Sequence, residues 1–232
     1  MLSKIGFSGK MTAGKTTISN KLEKKYGYVR LAIGDRIKKV SNLLIEDKDE
    51  LSKYLKSVLL TPSTNNVFDF NEYQKYNTVF KNLIRLFEDN FKSTLFIKES
   101  NDIYVKNADY RELVQLVGGT VRQVYGEAVW CAILLNEADE LINQGKRIVC
   151  DDLRLEIEYM LFQNRGYTLI RLDVKEEIQK QRIIKLYGDF NEESLYHKTE
   201  VELDNKDFIH RMDTTIESID ETFSRVEKIL KS

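Results

Sequence analysis

Apolar positions along the chain fall into short runs that alternate with stretches at helical spacing. Leu2 to Phe7 predicts a short strand, and Thr16 to Tyr26, with Ile18 and Leu22 four apart among Lys and Glu, predicts a helix. Tyr28 to Ile33 reads as a second strand, and Gly34 opens a second helix. After a long interval come two helices, Tyr110–Tyr125 and Glu127–Asn143, the second closed by Gly145 as the residue after its C-terminus. Arg147–Asp151 is a strand of buried type, Leu155–Asn164 a short helix, Tyr167–Val174 a strand and Lys175–Tyr187 a basic helix. A polar segment from Gly188 to Asp204 precedes a short strand around Phe208–Ile209. The last helix, Thr214–Leu230, is expected to start on a capping box of Thr214 and Glu217, with Ile216, Ile219, Phe223, Val226 and Leu230 as its buried stripe.

The interval from Glu46 to Asp109 differs in character. Asn, Asp and Lys are frequent, Pro62 is the only proline, and Phe68, Phe70, Tyr73, Tyr76, Phe80 and Phe87 supply aromatics. Thr78–Phe91 has helical periodicity, and Thr94–Lys98 with Asp102–Lys106 suggests a hairpin turning at residues 99–101. The expected organisation is a core of residues 1–45 and 110–232 carrying an insertion of residues 46–109. Strands alternating with helices imply an α/β fold with a parallel sheet covered on both faces.

Composition narrows the partners. With 31% charged residues in 232 and a net charge of −1, the chain has no general basic field for a nucleic acid polymer. No apolar run approaches the ~20 residues of a membrane span, and the chain opens directly on its first strand, so no membrane or cleaved leader is expected. Cys131 and Cys150 sit in apolar runs and read as two buried thiols of a reducing, cytoplasmic protein. His197 and His210 have no partner at ligand spacing, which argues against zinc.

Chemistry enters at Gly9-Lys10-Met11-Thr12-Ala13-Gly14-Lys15-Thr16, a complete G-x-x-x-x-G-K-[ST] loop between a strand and a helix. Its backbone N–H groups, with Thr17 following, form an anion cradle. Lys15 reaches β- and γ-phosphates, and Thr16 offers a hydroxyl to Mg²⁺. Nucleotide binding follows, with ATP and Mg²⁺ as the expected cofactors.

Three further constellations bear on whether the nucleotide is a phosphoryl donor. Gly34-Asp35-x-Ile37-Lys38 follows the second strand; it suits either a phosphate contact by Lys38 or plain capping by Asp35 with Lys38 and Lys39 solvated. Arg111, Gln115, Gly118 and Arg122 stand at i, i+4, i+7 and i+11, a single stripe at about 3.6 residues per turn. A solvated face explains the charges, but Gly118 and Gly119 each cost roughly 1 kcal/mol inside a helix, which a ligand pressed close to Gly118 would explain. The third is Ile148-Val-Cys-Asp151-Asp152-Leu153-Arg154, an apolar strand ending in acids where a metal-binding carboxylate sits, with Arg154 aimed into the cleft or paired with Glu156 or Glu158. Asp151 and Asp152 cannot both face a metal if the strand runs straight through them. Arg182, in the basic helix, is the candidate for a lid spanning about residues 175–204; a solvated face accounts for its neighbouring lysines equally well.

Taken together, these residues resemble the bacteriophage deoxynucleoside monophosphate kinase family of T-even type, nearly end to end and weakly through the insertion. The likeness lies in the N-terminal loop, the Leu-Ala-x-x-x-x-Ile-Lys segment ending at Lys38, Leu-Val-Gln-x-x-Gly ending at Gly118, Trp130, the Asp152-x-Arg154-x-x-x-Glu158 pattern, and His197-Lys198-Thr199-Glu200. Departures are Thr16 where the T-even loop has aspartate, the doubled glycine at 118 and 119, and a displaced Arg122. The resemblance implies a P-loop three-layer sandwich of nucleoside monophosphate kinase type with a mostly helical insertion. It implies an acceptor site lined by Ile37, Lys38, Gly118, Trp130, Asp152, Arg154, Glu158 and Thr199, with Arg111 as a phosphate ligand; without it Trp130 reads as core.

The expectation is a cytoplasmic, Mg²⁺-dependent kinase that moves the γ-phosphoryl of ATP to a deoxynucleoside 5′-monophosphate, in the host cytoplasm if phage-encoded. Gly9, Thr12, Ala13, Gly14, Lys15, Thr16 and Thr17 hold the donor, and Thr16 and Asp152 (or Asp151) the metal. Asp35, Lys38, Arg111, Gln115, Arg122 and Arg154 serve the acceptor or transferring group, with Arg182 closing over it. Rivals are a P-loop kinase for another small acceptor, such as dephospho-coenzyme A, and a nucleotide-gated binding protein without transfer activity. The aromatic insertion permits a homodimer surface.

Overall fold

The computed structural model describes residues 2–60, 70–100, 103–105, 107–188 and 195–231. The chain divides into two compact units, Met1–Ile33 with Leu134–Ser232, and Gly34–Ile133. Expectations for Pro62, Phe68, the hairpin residues 101, 102 and 106, and part of the lid lie outside the described residues.

The first unit is built on a five-stranded sheet. Its strands are β1 (Lys4–Ser8), β2 (Tyr28–Leu31), β5 (Arg147–Leu153), β6 (Thr168–Asp173) and β7 (His210–Asp213), in the order β2-β5-β1-β6-β7. Every neighbouring pair is parallel. Helix α1 (Lys15–Tyr26) packs on β2, β5 and α10 (Ile219–Lys231), while α7 (Glu156–Asn164) lies against β6. Ile5, Phe7, Ile18, Leu22, Val149, Ile170, Leu172, Phe223 and Val226 form the core between sheet and helices. The unit also holds the C-terminal part of α6 (Val129–Asn143), α8 (Glu176–Tyr187) and α9 (Lys198–Val201). This is the expected α/β sandwich with a parallel sheet.

The second unit contains α2 (Ile33–Glu46) beyond its first residue, α3 (Lys48–Leu59), α4 (Phe70–Asn90), a hairpin of β3 (Lys98–Ser100) and β4 (Ile103–Tyr104), α5 (Ala108–Tyr125) and the start of α6. Helix α4 packs against α3 and α5. Phe87, Phe91, Phe96, Tyr104 and Tyr110 form a connected series of ring contacts.

Several elements differ from the sequence expectation, each for a local reason. Helix α3 was not anticipated, although Asp47 caps it by accepting from the N–H groups of Asp49 and Glu50, and Leu51, Leu55 and Leu59 form its buried line. The hairpin is shorter and shifted, pairing Lys98 with Tyr104. Asp35 is not an N-cap: α2 starts at Ile33, whose N–H donates to Asp152 Oδ1 at 2.8 Å. Helix α10 starts at Ile219, not Thr214, its capping box displaced from Thr214 and Glu217 to Ser218 and Glu221. Ile216 is consequently 90% exposed, and Thr214 is buried with its hydroxyl shared between the carbonyls of Ala13 and Asp173. Among the described residues no helix is long and apolar enough to cross a membrane.

Two glycines give opposite predictions. A Cβ on Gly9, whose φ is +142°, would lie 2.3 Å from the Leu172 carbonyl oxygen, so Gly9→Ala should cost about 3 kcal/mol and lower Tm by roughly 6–12 °C. A Cβ on Gly119 meets nothing within 4 Å, so Gly119→Ala should stabilise α5 by about 0.5–1 kcal/mol. Thermal unfolding of the two variants against the parent checks both signs.

Candidate functional site

The loop between β1 and α1 owes its shape to three residues at positive φ, Gly9 (+142°) and Gly14 (+95°), which tolerate it, and Thr12 (+64°), which does not. Thr12 is the only non-glycine residue with positive φ among the described residues, a strained position of the kind that clusters at ligand sites. Arg182 clamps the loop from α8, donating to the carbonyls of Thr12 at 3.2 Å and Thr214 at 2.7 Å. Ala13 is buried, whereas Thr16 and Thr17 are exposed on the first turn of α1.

Lys15 is 7% exposed and donates to the carbonyls of Gly9 (2.5 Å) and Lys10 (2.7 Å). Burial, then the positive charges of Arg154 and Arg171, lower its pKa to about 7, against a smaller opposing effect of Asp151 and Asp152. A lysine in that state gains most from an added polyanion.

Glu200, on α9, occupies the mouth of the cradle. Its Oε2 accepts the Met11 N–H at 2.8 Å, and its Oε1 is ion-paired with Arg154 Nη1. One carboxylate therefore satisfies both a loop amide and the candidate transfer cation, so the two already converge on a single anion. Sequence reading placed Glu200 in the His-Lys-Thr-Glu segment but gave it no role. Thr199 lies on the same short helix, its hydroxyl 2.9 Å from His197 Nδ1.

The acids at the end of β5 have separate partners. Asp151 is 1% exposed, with Oδ2 accepting from Arg30 Nε at 2.8 Å and Oδ1 buried without a hydrogen-bond partner. Asp152 Oδ1 accepts from Ile33 N–H and, at 3.3 Å, from the Cys150 thiol, which burial holds well above the ordinary thiol pKa. Both acids fall where β5 carries an extra residue against β1, between the pairs Gly6–Cys150 and Ser8–Leu153. Such an irregularity can re-aim side chains, yet Cys150 and Asp152, two apart, still meet as they would on one face of a regular strand. Glu158 is buried and accepts from the N–H groups of Arg154 and Leu155, fixing the turn out of the strand. Among the described residues no cluster of His, Cys, Asp or Glu could hold a metal by itself. A buried, unpartnered carboxylate oxygen near the lysine is compatible with an ion that arrives on a nucleotide.

Sequence reading also missed Arg171. It is 3% exposed in the middle of β6 and donates to Ser8 Oγ at 3.0 Å, to Asp173 and to Asp204, which in turn pairs with Lys10. Its signal was available: an arginine inside the otherwise apolar Leu-Ile-Arg-Leu.

The second unit carries the other candidates. Lys38 Nζ donates to Asp35 Oδ1 at 2.8 Å. Arg111 and Gln115 are exposed on α5, and Arg122 is half-buried with its Nε lacking a hydrogen-bond partner. A Cβ on Gly118 would touch Ile37 and Arg122 Nη1 at 3.4 Å, so helix packing accounts for part of that glycine. Trp130 is 1% exposed and its indole donates to the Gly118 carbonyl at 3.1 Å.

Two predictions follow from the loop. Glu200→Gln removes the resident negative charge, so ATP should bind about tenfold more tightly by calorimetry, the scale of one charge-assisted hydrogen bond; an unchanged Kd would exclude competition by the carboxylate. Because the Lys15 pKa is lower folded than unfolded, the folded chain binds fewer protons above about pH 7. Stability should then rise with pH from about 7 toward the ordinary lysine range, the full cost of the buried charge being present below it. Lys15→Met should remove up to ~1.4 kcal/mol of that rise per pH unit in denaturant titrations.

No protein-family model matches the chain, and no curated protein matches it. Among solved structures it is similar to TT1252 from Thermus thermophilus, at 16% identity over 98% of this chain and 95% of that one, with a TM-score of 0.48. It is also similar to the dephospho-CoA kinase from Campylobacter jejuni, at 15% identity over 99% and 96% of the two chains, with a TM-score of 0.44.

Proposed function

We propose that the chain transfers the γ-phosphoryl group of ATP to a deoxynucleoside 5′-monophosphate, yielding ADP and the deoxynucleoside diphosphate. The observation that carries the phosphotransferase reading is the shared anion position. A loop N–H and the Arg154 guanidinium both address the Glu200 carboxylate, and Lys15 is buried close enough for Arg154 to lower its pKa. Phosphoryl transfer asks for this: a cradle for the donor and cations on the group in flight. The choice of acceptor rests on the resemblance to the T-even phage kinases and on the candidates around Lys38.

In this reading the donor phosphates displace Glu200 from the Met11 amide and draw Lys15 off the carbonyls of Gly9 and Lys10. Arg154, released from Glu200, turns to the transferring group. Arg182 keeps the loop tip in place through Thr12, and Glu158 holds the backbone from which Arg154 projects. The acceptor oxygen is already anionic, so no general base is needed. Mg²⁺ accompanying the nucleotide would be held by Thr16 and by Asp151 or Asp152, and would offset charge on the β- and γ-phosphates. The buried Asp151 Oδ1 favours Asp151, because Asp152 already serves Ile33 and Cys150.

A coupled ADP-release assay across ribo- and deoxynucleoside monophosphates, with dephospho-coenzyme A as a control acceptor, tests the assignment. Turnover is expected with deoxynucleoside monophosphates. Arg154→Ala should lower kcat by on the order of 10³ or more, whereas Lys38→Ala should chiefly raise acceptor KM. ATP binding with no ADP formed from any acceptor would instead indicate a nucleotide-gated binding protein.

A further inference from the structure

The second unit carries an open cavity of about 600 Å³ lined by Asp35, Lys38, Asn42 and Glu46 of α2, Tyr104 of β4 and Tyr110 of α5, within the size range of small-ligand sites. The α2 residues recur at i, i+3, i+7 and i+11, so one helix face lines it from end to end. Ile37, which packs toward Gly118, lies on the opposite face.

The two ends differ chemically. At one stand the ammonium groups of Lys38 and Lys39, Lys38 paired with the half-exposed Asp35 and Lys39 over the Tyr54 ring at 4.3 Å. At the other, Tyr104 and Tyr110 stack at 5.5 Å and 20°, with Phe96 edge-on to both. Their phenols are tied down, Tyr104 to Glu46 at 2.9 Å and Tyr110 to Asn42 at 2.7 Å. Glu46 is itself paired with Lys98 at 2.7 Å, so that end offers fixed rings and compensated charge. From Lys38 to Glu46 the helix rises about 12 Å, comparable to a nucleoside monophosphate measured from phosphate to the far edge of its base.

We propose that this cavity seats the nucleoside of the acceptor, with the base at the Tyr104–Tyr110 end and the phosphate toward Lys38 and Lys39. The proposal rests on the kinase reading above and gives the hairpin of β3 and β4 its role, completing the acceptor pocket. Aromatic stacking is tolerant of base identity, so more than one base is accepted, and Asn42 and Glu46 grade the preference among them.

Steady-state kinetics and calorimetry with dAMP, dGMP, dCMP and dTMP test this on the full chain. Tyr104→Leu should raise KM and Kd for accepted monophosphates by about tenfold or more, with kcat and ATP affinity little changed. Asn42→Leu should alter the ranking of the four bases. Because Tyr104 is buried, Ile103→Trp provides a second variant: Ile103 is 52% exposed at the cavity, and a larger ring there should obstruct entry without disturbing the fold. Turnover of monophosphates with unchanged KM in folded Tyr104→Leu and in Ile103→Trp would overturn the cavity assignment and leave the kinase reading intact. Absence of transfer to any monophosphate would overturn the kinase reading. In that case monophosphate binding lost in both variants would keep the cavity as a nucleotide seat, and binding retained in them, or missing from the parent, would remove it.

Discussion

A buried ammonium group held by two backbone carbonyls is the constraint around which the first unit is organised. Lys15 has left water, and in exchange it has two loop carbonyls and a field containing two arginines. Carbonyl oxygens are a partial remedy for a desolvated charge. The amides of the loop are in the complementary position, and Glu200 answers one of them with an intramolecular carboxylate. The buried ammonium and the Met11 amide are thus both satisfied from within the chain. The rigidity of the loop comes from outside the motif. Gly9 sits against the Leu172 backbone, Thr214 holds the Ala13 carbonyl, and Arg182 holds that of Thr12.

The adjacent acids at the end of β5 show how the sheet passes that organisation on. Asp151 joins β5 to β2 through Arg30, and Asp152 receives the first N–H of α2. Two neighbouring carboxylates in a regular strand would point to opposite faces. Here both act at the same end of the sheet, where β5 carries its extra residue against β1, and each has its own partner. One has a buried oxygen without a hydrogen-bond partner, while the other accepts the first N–H of α2. The site therefore depends on strand register as much as on the identity of its acids.

Much of this was legible because the relevant signals are local. Strand, glycine loop and helix follow one another within the first 26 residues, and the parallel sheet follows from alternating periodicities. The errors arose where a local signal had a competitor. Thr214 and Glu217 have capping-box spacing, but Ser218 and Glu221 have it too, and the Thr214 hydroxyl is drawn away by Ala13 and Asp173. Helix α3 carries a clear Leu51, Leu55 and Leu59 line within a stretch rich in Lys and Asp, to which the sequence reading assigned no element. Glu200 and Arg171 could not be assigned partners from spacing, since Met11 and Ser8 lie more than 160 residues away in the chain.

Helix α2 marks the limit of periodicity as evidence. Ile37, Val40, Ser41 and Leu44 are buried and account for one face, leaving Asp35, Lys38, Asn42 and Glu46 on the other. From sequence that second face has the ordinary look of a solvated one. What distinguishes a solvated face from the wall of a cavity is the matter opposite it. Here that matter is Tyr104 and Tyr110, brought in by a hairpin and by the start of α5. Their rings are held by Phe96, and their hydroxyls return to Asn42 and Glu46 of the same face. Polar residues on α2 thus act as anchors for aromatic walls, and β4 and the start of α5 shape the space over α2.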